Sequence, residues 1–126
     1  LISPALASGK IVLCDRYYLS TIAYQGAIGF DINELIALNS FAPVPDVALL
    51  FHAPLDTSEQ RITGERGDKL NDFEQLENLQ KVAKIFQSLT MPFIQLINAQ
   101  GSIEEVHAEV IAQVLPILPD TLRNAV

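Results

Sequence analysis

The chain has 126 residues, of which 49% are apolar and 18% are charged, and this length and composition are typical of one globular domain. Its formal charge of −7 argues against nucleic-acid binding, because a phosphate backbone selects basic surfaces. No apolar stretch reaches the roughly 18 residues that would indicate a membrane span. The lone Cys14 cannot form an internal disulfide and lies in an apolar run, which favours a reducing cytoplasm and a buried thiol.

Short apolar runs alternate along the chain with longer amphipathic segments. The opening stretch LISPALASG is typical of a helix that ends at Gly9. Three apolar runs are predicted to be strands, and they are Ile11–Cys14, Val47–Phe51 and Phe93–Ile97. The first two lack polar alternation, as expected of parallel strands that are covered on both faces.

Helical patterns separate the predicted strands. Apolar residues recur at helical spacing over about Leu19–Gly26, Ile32–Phe41 and Phe73–Leu89. Ser102 with a Glu three residues on predicts a capping box that opens a helix to Leu115, and a similar pair at positions 56 and 59 opens a short helix to about residue 62. Strands that alternate with helices predict an α/β fold, a parallel sheet with flanking helices.

Three strands make a thin sheet for this fold class. At most one of them can be central, whereas fully apolar strands need neighbours on both sides. With no Met at the start, the pattern predicts that an N-terminal part with at least one strand is absent. The chain is otherwise predicted to be a single domain over residues 1–126, with a loosely packed tail over about residues 116–126.

Polar side chains follow the first predicted strand, where ligands bind in open α/β sheets. The Asp15 carboxylate could hold a magnesium ion through water, and the Arg16 guanidinium could bind a phosphate with two parallel hydrogen bonds. A structural ion pair would explain the same two residues. Ser20 and Tyr24 lie four apart and share one face of the next helix. The alternative places Ser20 near a helix cap and Tyr24 in the core.

The segment TGERGDKLND, residues 63–72, carries two glycines and five charges between two predicted helices. It is either a flexible solvated loop or a mobile lid. In the second case Arg61, Arg66 and Lys69 are the cations that could swing onto phosphates.

Four quoted segments carry a resemblance to a known family. DRYYLSTIAYQG, residues 15–26, is similar to a DR-Y signature followed by a Ser and an aromatic residue at matching offsets. VPDVALLF resembles the family's next turn and strand, and TSEQRI, the charged loop and DFE follow the order of its lid region. INAQGSIEEVHAEV resembles its last strand, turn and helix. The family is that of the thymidylate kinases, nucleoside monophosphate kinases of the P-loop class, and the similarity runs from Ile11 to about Leu115.

The resemblance implies transfer of a phosphoryl group from ATP to thymidine monophosphate (dTMP), which yields the diphosphate for dTTP synthesis, with Mg²⁺ as cofactor. Asp15 would hold the magnesium–water shell or orient the acceptor phosphate, and Arg16 would bind that phosphate. Ser20 and Tyr24 would line the sugar and base side of the nucleotide, with Gln25 and Gly26 nearby.

The lid and the last turn have implied roles as well. Arg61 and Arg66 would close over the transferred phosphoryl group and act in catalysis, with Arg61 also near ATP. Phe73 would pack on the acceptor nucleoside. The residues implied beside the adenine of ATP are Ala99, Gln100, Gly101 and Ser102. The resemblance also implies a homodimer.

Two departures from the family pattern matter. The family has an Arg just before the aromatic residue of the lid motif, where this sequence has Asp72, so Arg66 or Lys69 would have to supply the lid cation. The GxxxxGK[ST] phosphate loop is absent from the sequence. In the family's sheet the strand that bears this loop lies between those that resemble Ile11–Cys14 and Val47–Phe51. The chain is therefore expected to be the C-terminal part of such a kinase and inactive alone.

Two other functions stay open at this stage. Deoxynucleoside kinases have an acid–Arg pair after a comparable strand, and preference for the nucleoside over its monophosphate would favour them. A non-catalytic module that keeps the fold as an interaction surface would explain Asp72 and the missing phosphate loop.

Overall fold

A computed structural model of the chain describes residues 1–54 and 73–123, with the backbone alone for residues 73–76. The elements alternate in the order expected of the α/β class, which is confirmed. In chain order they are α1 (Ile2–Ala7), α2 (Tyr18–Ala27), α3 (Ile32–Leu38), β1 (Ala48–His52), α4 (Phe73–Ser88), β2 (Ile94–Asn98), α5 (Ile103–Val114), a 3-10 turn (Leu115–Ile117) and α6 (Asp120–Arg123).

In the described part of the chain, β1 and β2 pair in parallel, and the two predicted strands are confirmed within one residue. The register joins Ala48 to Ile94 at one end and His52 to Asn98 at the other. The ladder continues past β2, because the Ala99 N–H donates to the His52 carbonyl oxygen at 2.8 Å. The carboxyl ends of both strands therefore lie side by side.

The strand predicted over residues 11–14 is wrong, because the structure has no strand there. Ile11 and Leu13 are 53% and 91% exposed, and Cys14 is exposed, so the prediction of a buried thiol is also wrong. A strand is held by ladder hydrogen bonds to a neighbour, and none of the described strands pairs with this segment. Apolar composition predicts burial only where such a partner is present.

Two compact units make up the described chain, and the first holds Leu1–Val44 and Phe73–Leu89. Helix α2 packs on α3 and α4 in this unit. The buried apolar side chains are Leu19, Ile22, Ala23, Leu35, Val82 and Leu89. Full burial of an apolar side chain such as that of Ile22 stabilises the fold by roughly 1.5–3 kcal/mol. Gly26 lies where α2 packs against α3 and α4, since a Cβ there would meet the side-chain tips of Ile32 and Ile85.

Local signals account for the ends of the helices in the first unit. Gly9 has φ +76°, and the Gly9 and Lys10 N–H groups donate to the Leu6 and Ala5 carbonyls, which ends α1 as predicted. Asp31 caps α3, because its side chain accepts from the Glu34 N–H at 3.0 Å. Helix α3 ends three residues before the predicted Phe41, which is 84% exposed.

The second unit contains, among described residues, 45–54 and 90–123. Helix α5 packs on β2 and begins with the predicted capping box, which is confirmed. The Glu105 N–H donates to Ser102 Oγ at 3.2 Å, and the Ser102 N–H donates to Glu105 Oε2 at 2.8 Å. In the tail, the Arg123 guanidinium donates to the Pro116 and Leu118 carbonyls and pairs with Asp120 at 3.2 Å. None of the described helices has the length and apolar character needed to cross a bilayer.

Candidate functional site

Asp15 and Arg16 form the bend that leads into α2. Arg16 has φ +65° and is, among the described residues other than glycine, the one with positive φ. This left-handed conformation costs an L-residue roughly 1–2 kcal/mol and persists where the surroundings hold it in place. Such strain at a polar bend indicates a candidate binding site.

Asp15 and Arg16 do not pair with each other. Both are exposed, and neither forms an ion pair with a described residue, in contrast to Glu77–Lys81 and Asp120–Arg123. The structural ion pair considered as an alternative is therefore not formed. An exposed cation without a carboxylate partner is available to bind an anion.

Tyr24 lies beneath the Arg16 guanidinium. The guanidinium carbon is 5.5 Å from the centroid of the Tyr24 ring, within the range of a cation–π interaction. Tyr24 is 37% exposed, so the alternative that buries it in the core is wrong. Ser20 is half-buried one turn earlier on the same face of α2, and its N–H donates to the Tyr17 carbonyl at 2.9 Å.

A groove of about 730 Å³ opens beside Arg16, within the first unit. This volume lies in the range of small-molecule sites, roughly 300–1,000 Å³. Arg16 is the charged side chain among the described residues that line it, and several hydroxyl groups accompany it. The lining residues are Leu1, Ile2, Ser3, Arg16, Tyr17, Tyr18, Ser20, Thr21, Asn39, Phe41, Ala42 and Pro43.

The phenols of Tyr17 and Tyr18 were missed by the sequence reasoning. Their ring centroids are 4.9 Å apart, and both residues line the groove. Burial, and to a lesser degree the neighbouring Tyr17, raise the pKa of the Tyr18 phenol, which therefore stays protonated at neutral pH and can donate a hydrogen bond. The signal was the YY pair between Arg16 and Ser20 in DRYYLS.

The N-terminus of α2 adds to the positive character of the groove. Its N-cap residue is Tyr17, no described side chain caps it, and its first turn has no acidic residue. The first N–H groups of a helix carry partial positive charge and favour anions. They lie directly after Arg16 in the chain, so two sources of positive potential meet at this bend.

The remaining predicted nucleotide contacts differ in exposure, and some lie outside the described residues. Gln25 is exposed on α2, whereas Gly26 lies at the packing surface with α3 and α4. Phe73 begins α4, but its side chain lies outside the described residues. Four further predictions also fall outside them: the roles of Arg61 and Arg66, the lid over residues 63–72, and the short helix to residue 62.

The turn predicted to lie beside ATP, residues 99–102, belongs to the second unit, and its N–H groups donate hydrogen bonds to neighbouring residues of that unit. The N–H groups of Ala99 and Ser102 donate to His52 and Glu105, and the Gln100 N–H donates to Asn98 Oδ1 at 3.0 Å. These three groups are therefore not free to bind a ligand. Gln100, Gly101 and Ser102 are exposed, and Ala99 is half-buried.

The Asp15 carboxylate has oxygen atoms of the kind that Mg²⁺ prefers as ligands. Across the described ranges there is no group of three or more His, Cys, Asp or Glu side chains that could hold a metal ion. Mg²⁺ keeps much of its water and binds proteins through one or two carboxylates plus phosphate oxygens. An exposed carboxylate beside an exposed guanidinium fits that mode of binding.

Comparisons with known proteins agree on one family. The thymidylate kinase family model matches residues 1–110. A thymidylate kinase of Desulfotalea psychrophila is 56% identical over 118 residues, which are 94% of this chain and 58% of that protein. A thymidylate kinase of Xanthomonas campestris is 44% identical over 98% of this chain and 54% of its own length. A probable thymidylate kinase of Pyrococcus horikoshii is 44% identical over 90% of this chain and 56% of its own length.

The chain spans little more than half the length of these curated relatives. The match itself covers most of the chain, including the bend at Asp15 and Arg16, the hydroxyl-lined groove and both strands. The chain therefore belongs to the thymidylate kinase family.

Proposed function

We propose that the protein to which these residues belong is a thymidylate kinase, which transfers a phosphoryl group from ATP to dTMP, and that this chain supplies the acceptor side. Family membership supports the reaction. The observation that carries the proposal is Arg16: it is exposed, has no carboxylate partner among the described residues, and lines the groove at the N-terminus of α2.

On this proposal Arg16 binds the acceptor phosphate through two parallel hydrogen bonds, aided by the first N–H groups of α2. The hydroxyls of Ser20, Tyr17 and Tyr18 bind the polar edges of the nucleotide along the groove. Asp15 would hold Mg²⁺ through water, and bound Mg²⁺ would neutralise phosphate charge. The chain's own part in catalysis is to position the acceptor phosphate and offset its charge.

Other parts of the proposal rest on the family resemblance. Arg61 and Arg66 remain the predicted lid cations, Gln25 and Phe73 the predicted nucleoside contacts, and residues 99–102 the predicted neighbours of ATP. A homodimer and a cytoplasmic location are proposed on the same ground. Because the 126 residues contain no GxxxxGK[ST] loop to bind the donor phosphates, we propose that they cannot transfer phosphate alone.

The test is isothermal titration of dTMP into the chain extended at Leu1 with the N-terminal segment of the Desulfotalea psychrophila relative, hereafter the extended chain. Arg16→Ala should weaken dTMP binding by about 10- to 100-fold, since a hydrogen-bonded charge pair contributes roughly 1.5–3 kcal/mol. The matched control is Lys84→Ala, which removes the same charge from an exposed position on α4 and should leave affinity unchanged. Unchanged affinity in Arg16→Ala would contradict the role of Arg16. Tighter binding of thymidine than of dTMP would favour a deoxynucleoside kinase.

A further inference from the structure

Two carboxylates of α5 bind the two ends of the segment over residues 98–102, hereafter the 98–102 turn. Glu105 Oε2 accepts from the Ser102 N–H at 2.8 Å. The Glu109 carboxylate accepts from the Asn98 N–H, at 3.3 Å to its nearer oxygen. The first bond belongs to the capping box of α5, whereas the second joins residues eleven apart in sequence and has no part in the cap. The Glu109 bond therefore needs a separate explanation.

The Asn98 N–H faces the edge of β2 that pairs with no described strand. In a parallel ladder, alternate N–H groups along a strand point to the same neighbour. Because the Ala99 N–H donates to His52 on β1, the Asn98 N–H points away from β1. Glu109 is half-buried on α5, which packs on β2, and it reaches this edge. Its carboxylate supplies the acceptor that the strand ladder does not.

The spacing of Glu105 and Glu109 does not favour α5 as a helix. The two residues lie four apart on one face, where like charges repel each other. The ion pairs of the described residues are Glu77–Lys81 and Asp120–Arg123, so neither carboxylate is neutralised by a cation in that part of the chain. Each one instead accepts a backbone N–H from an opposite end of the 98–102 turn. The arrangement is explained if the pair serves to hold the turn.

The side chain of Asn98 extends this restraint into the turn. Asn98 Oδ1 accepts from the Gln100 N–H at 3.0 Å, so the residue that Glu109 holds also fixes the backbone two positions on. Ordering a loop when a ligand arrives costs affinity, and groups that order it beforehand remove part of that cost. A carboxylate that fixes Asn98 therefore acts on the whole turn.

We propose that Glu109 is a positioning residue that, together with Glu105, holds the 98–102 turn in one conformation before a nucleotide binds beside it. The part of this proposal that concerns the nucleotide rests on the proposed function, in which residues 99–102 are the neighbours of ATP. The part that concerns the turn does not. Glu109 acts through the backbone of Asn98 and makes no contact with the nucleotide itself.

The turn part is tested by NMR on the 126-residue chain. The Asn98 amide proton should move to lower frequency in Glu109→Ala, because a hydrogen bond to a carboxylate shifts an amide proton to higher frequency. The Gln100 amide signal should move as well, since its acceptor is the side chain of Asn98. The Leu96 amide, which by the same alternation faces the same edge of β2, should stay in place.

Two further variants make this test specific. Glu109→Gln loses the charge but keeps an oxygen acceptor, and it should retain most of the wild-type shift of the Asn98 amide proton. Glu104→Ala removes an exposed carboxylate from the first turn of α5 and should leave the Asn98 signal unchanged. An Asn98 amide signal that is the same in the wild type and in Glu109→Ala would overturn the proposal.

The nucleotide part is tested by titrating ATP and dTMP into variants of the extended chain. Glu109→Ala should weaken ATP binding about two- to fivefold, the range expected from loss of one partly exposed hydrogen bond, and should leave dTMP binding unchanged. Glu109→Gln should bind ATP within about twofold of the wild type. Both variants remove the same charge, so the difference between them reports the acceptor alone.

The outcomes separate this proposal from the proposed function. If Glu109→Ala weakens ATP and dTMP equally, Glu109 acts on the stability of the chain and the positioning role is wrong. If Glu109→Ala and Glu109→Gln change ATP binding equally, its charge matters and its acceptor does not, and the role is again wrong. If the extended chain binds no ATP, the donor side of the proposed function fails together with the nucleotide part, while the amide shifts still decide whether Glu109 holds the turn.

Discussion

Arg16 combines a backbone conformation that costs free energy with a side chain that no described residue neutralises. A residue selected for stability alone at φ +65° would be glycine, for which the left-handed conformation costs nothing. The presence of an arginine there is explained if the guanidinium is needed at the groove that it lines.

Exchanging Arg16 for Gly or Ala separates the backbone from the side chain. Arg16→Gly should be more stable than Arg16→Ala by about 0.5–1 kcal/mol, because relief of left-handed strain exceeds the extra entropy that glycine adds to the unfolded chain. Urea unfolding of the 126-residue chain measures the difference. At Lys84, an exposed position within α4, the order should reverse, with Ala favoured over Gly by about 1 kcal/mol. Equal stability of the two Arg16 variants would show that the bend carries no strain.

Single-residue identities and spacings were predictable at this site, whereas its geometry was not. The acid–base pair and the four-residue offset of Ser20 and Tyr24 can be read directly along the chain. The positive φ of Arg16 and its contact with the Tyr24 ring depend on how the bend enters α2. An adjacent Asp and Arg predict a salt bridge as readily as a phosphate site, and only the bend shows that the two side chains do not pair.

Helix α5 is held at its start by a reciprocal pair of hydrogen bonds. Ser102→Ala removes the acceptor for the Glu105 N–H and should lower the free energy of unfolding by about 1 kcal/mol. The control is Ser88→Ala at the C-terminal end of α4, where the hydroxyl donates to the Ile85 carbonyl. Its loss should change stability by less than about 0.5 kcal/mol. Denaturant unfolding measures both variants, and an equal loss in the two would contradict the capping role of Ser102.

Elements that depend on neighbouring residues were predicted from the sequence, whereas an element that depends on a distant partner was not. The capping box of α5 and the glycine stop of α1 are set by residues within one turn, so sequence reasoning found both. A strand depends on a partner elsewhere in the chain. β1 and β2 supply each other's ladder and were found within one residue, whereas residues 11–14 lack a described partner and are not a strand.

At the scale of the whole molecule, the predicted acceptor-side residues and the predicted neighbours of ATP fall in different units of the chain. Arg16, Ser20 and Tyr24 belong to the first unit, and residues 99–102 belong to the second. The acceptor-side residues predicted from the DRYYLSTIAYQG segment are present, but no GxxxxGK[ST] sequence occurs in the 126 residues. Catalysis of phosphoryl transfer depends on positioning the donor phosphates as well as the acceptor, so one side without the other is insufficient.

Phosphoryl transfer should therefore appear only when a phosphate loop is supplied. We expect the 126-residue chain to show no turnover of ATP and dTMP with Mg²⁺ in a coupled ADP-release assay, and the extended chain to show turnover that Arg16→Ala reduces at least about tenfold. Turnover by the 126-residue chain alone would contradict the requirement for the loop. An extended chain that folds and binds dTMP without turning over ATP would instead favour a non-catalytic module, in which Asp72 stands where the family's lid has an arginine. The assay thus distinguishes a kinase that needs a phosphate loop in addition to these residues from a fold that is kept for binding alone.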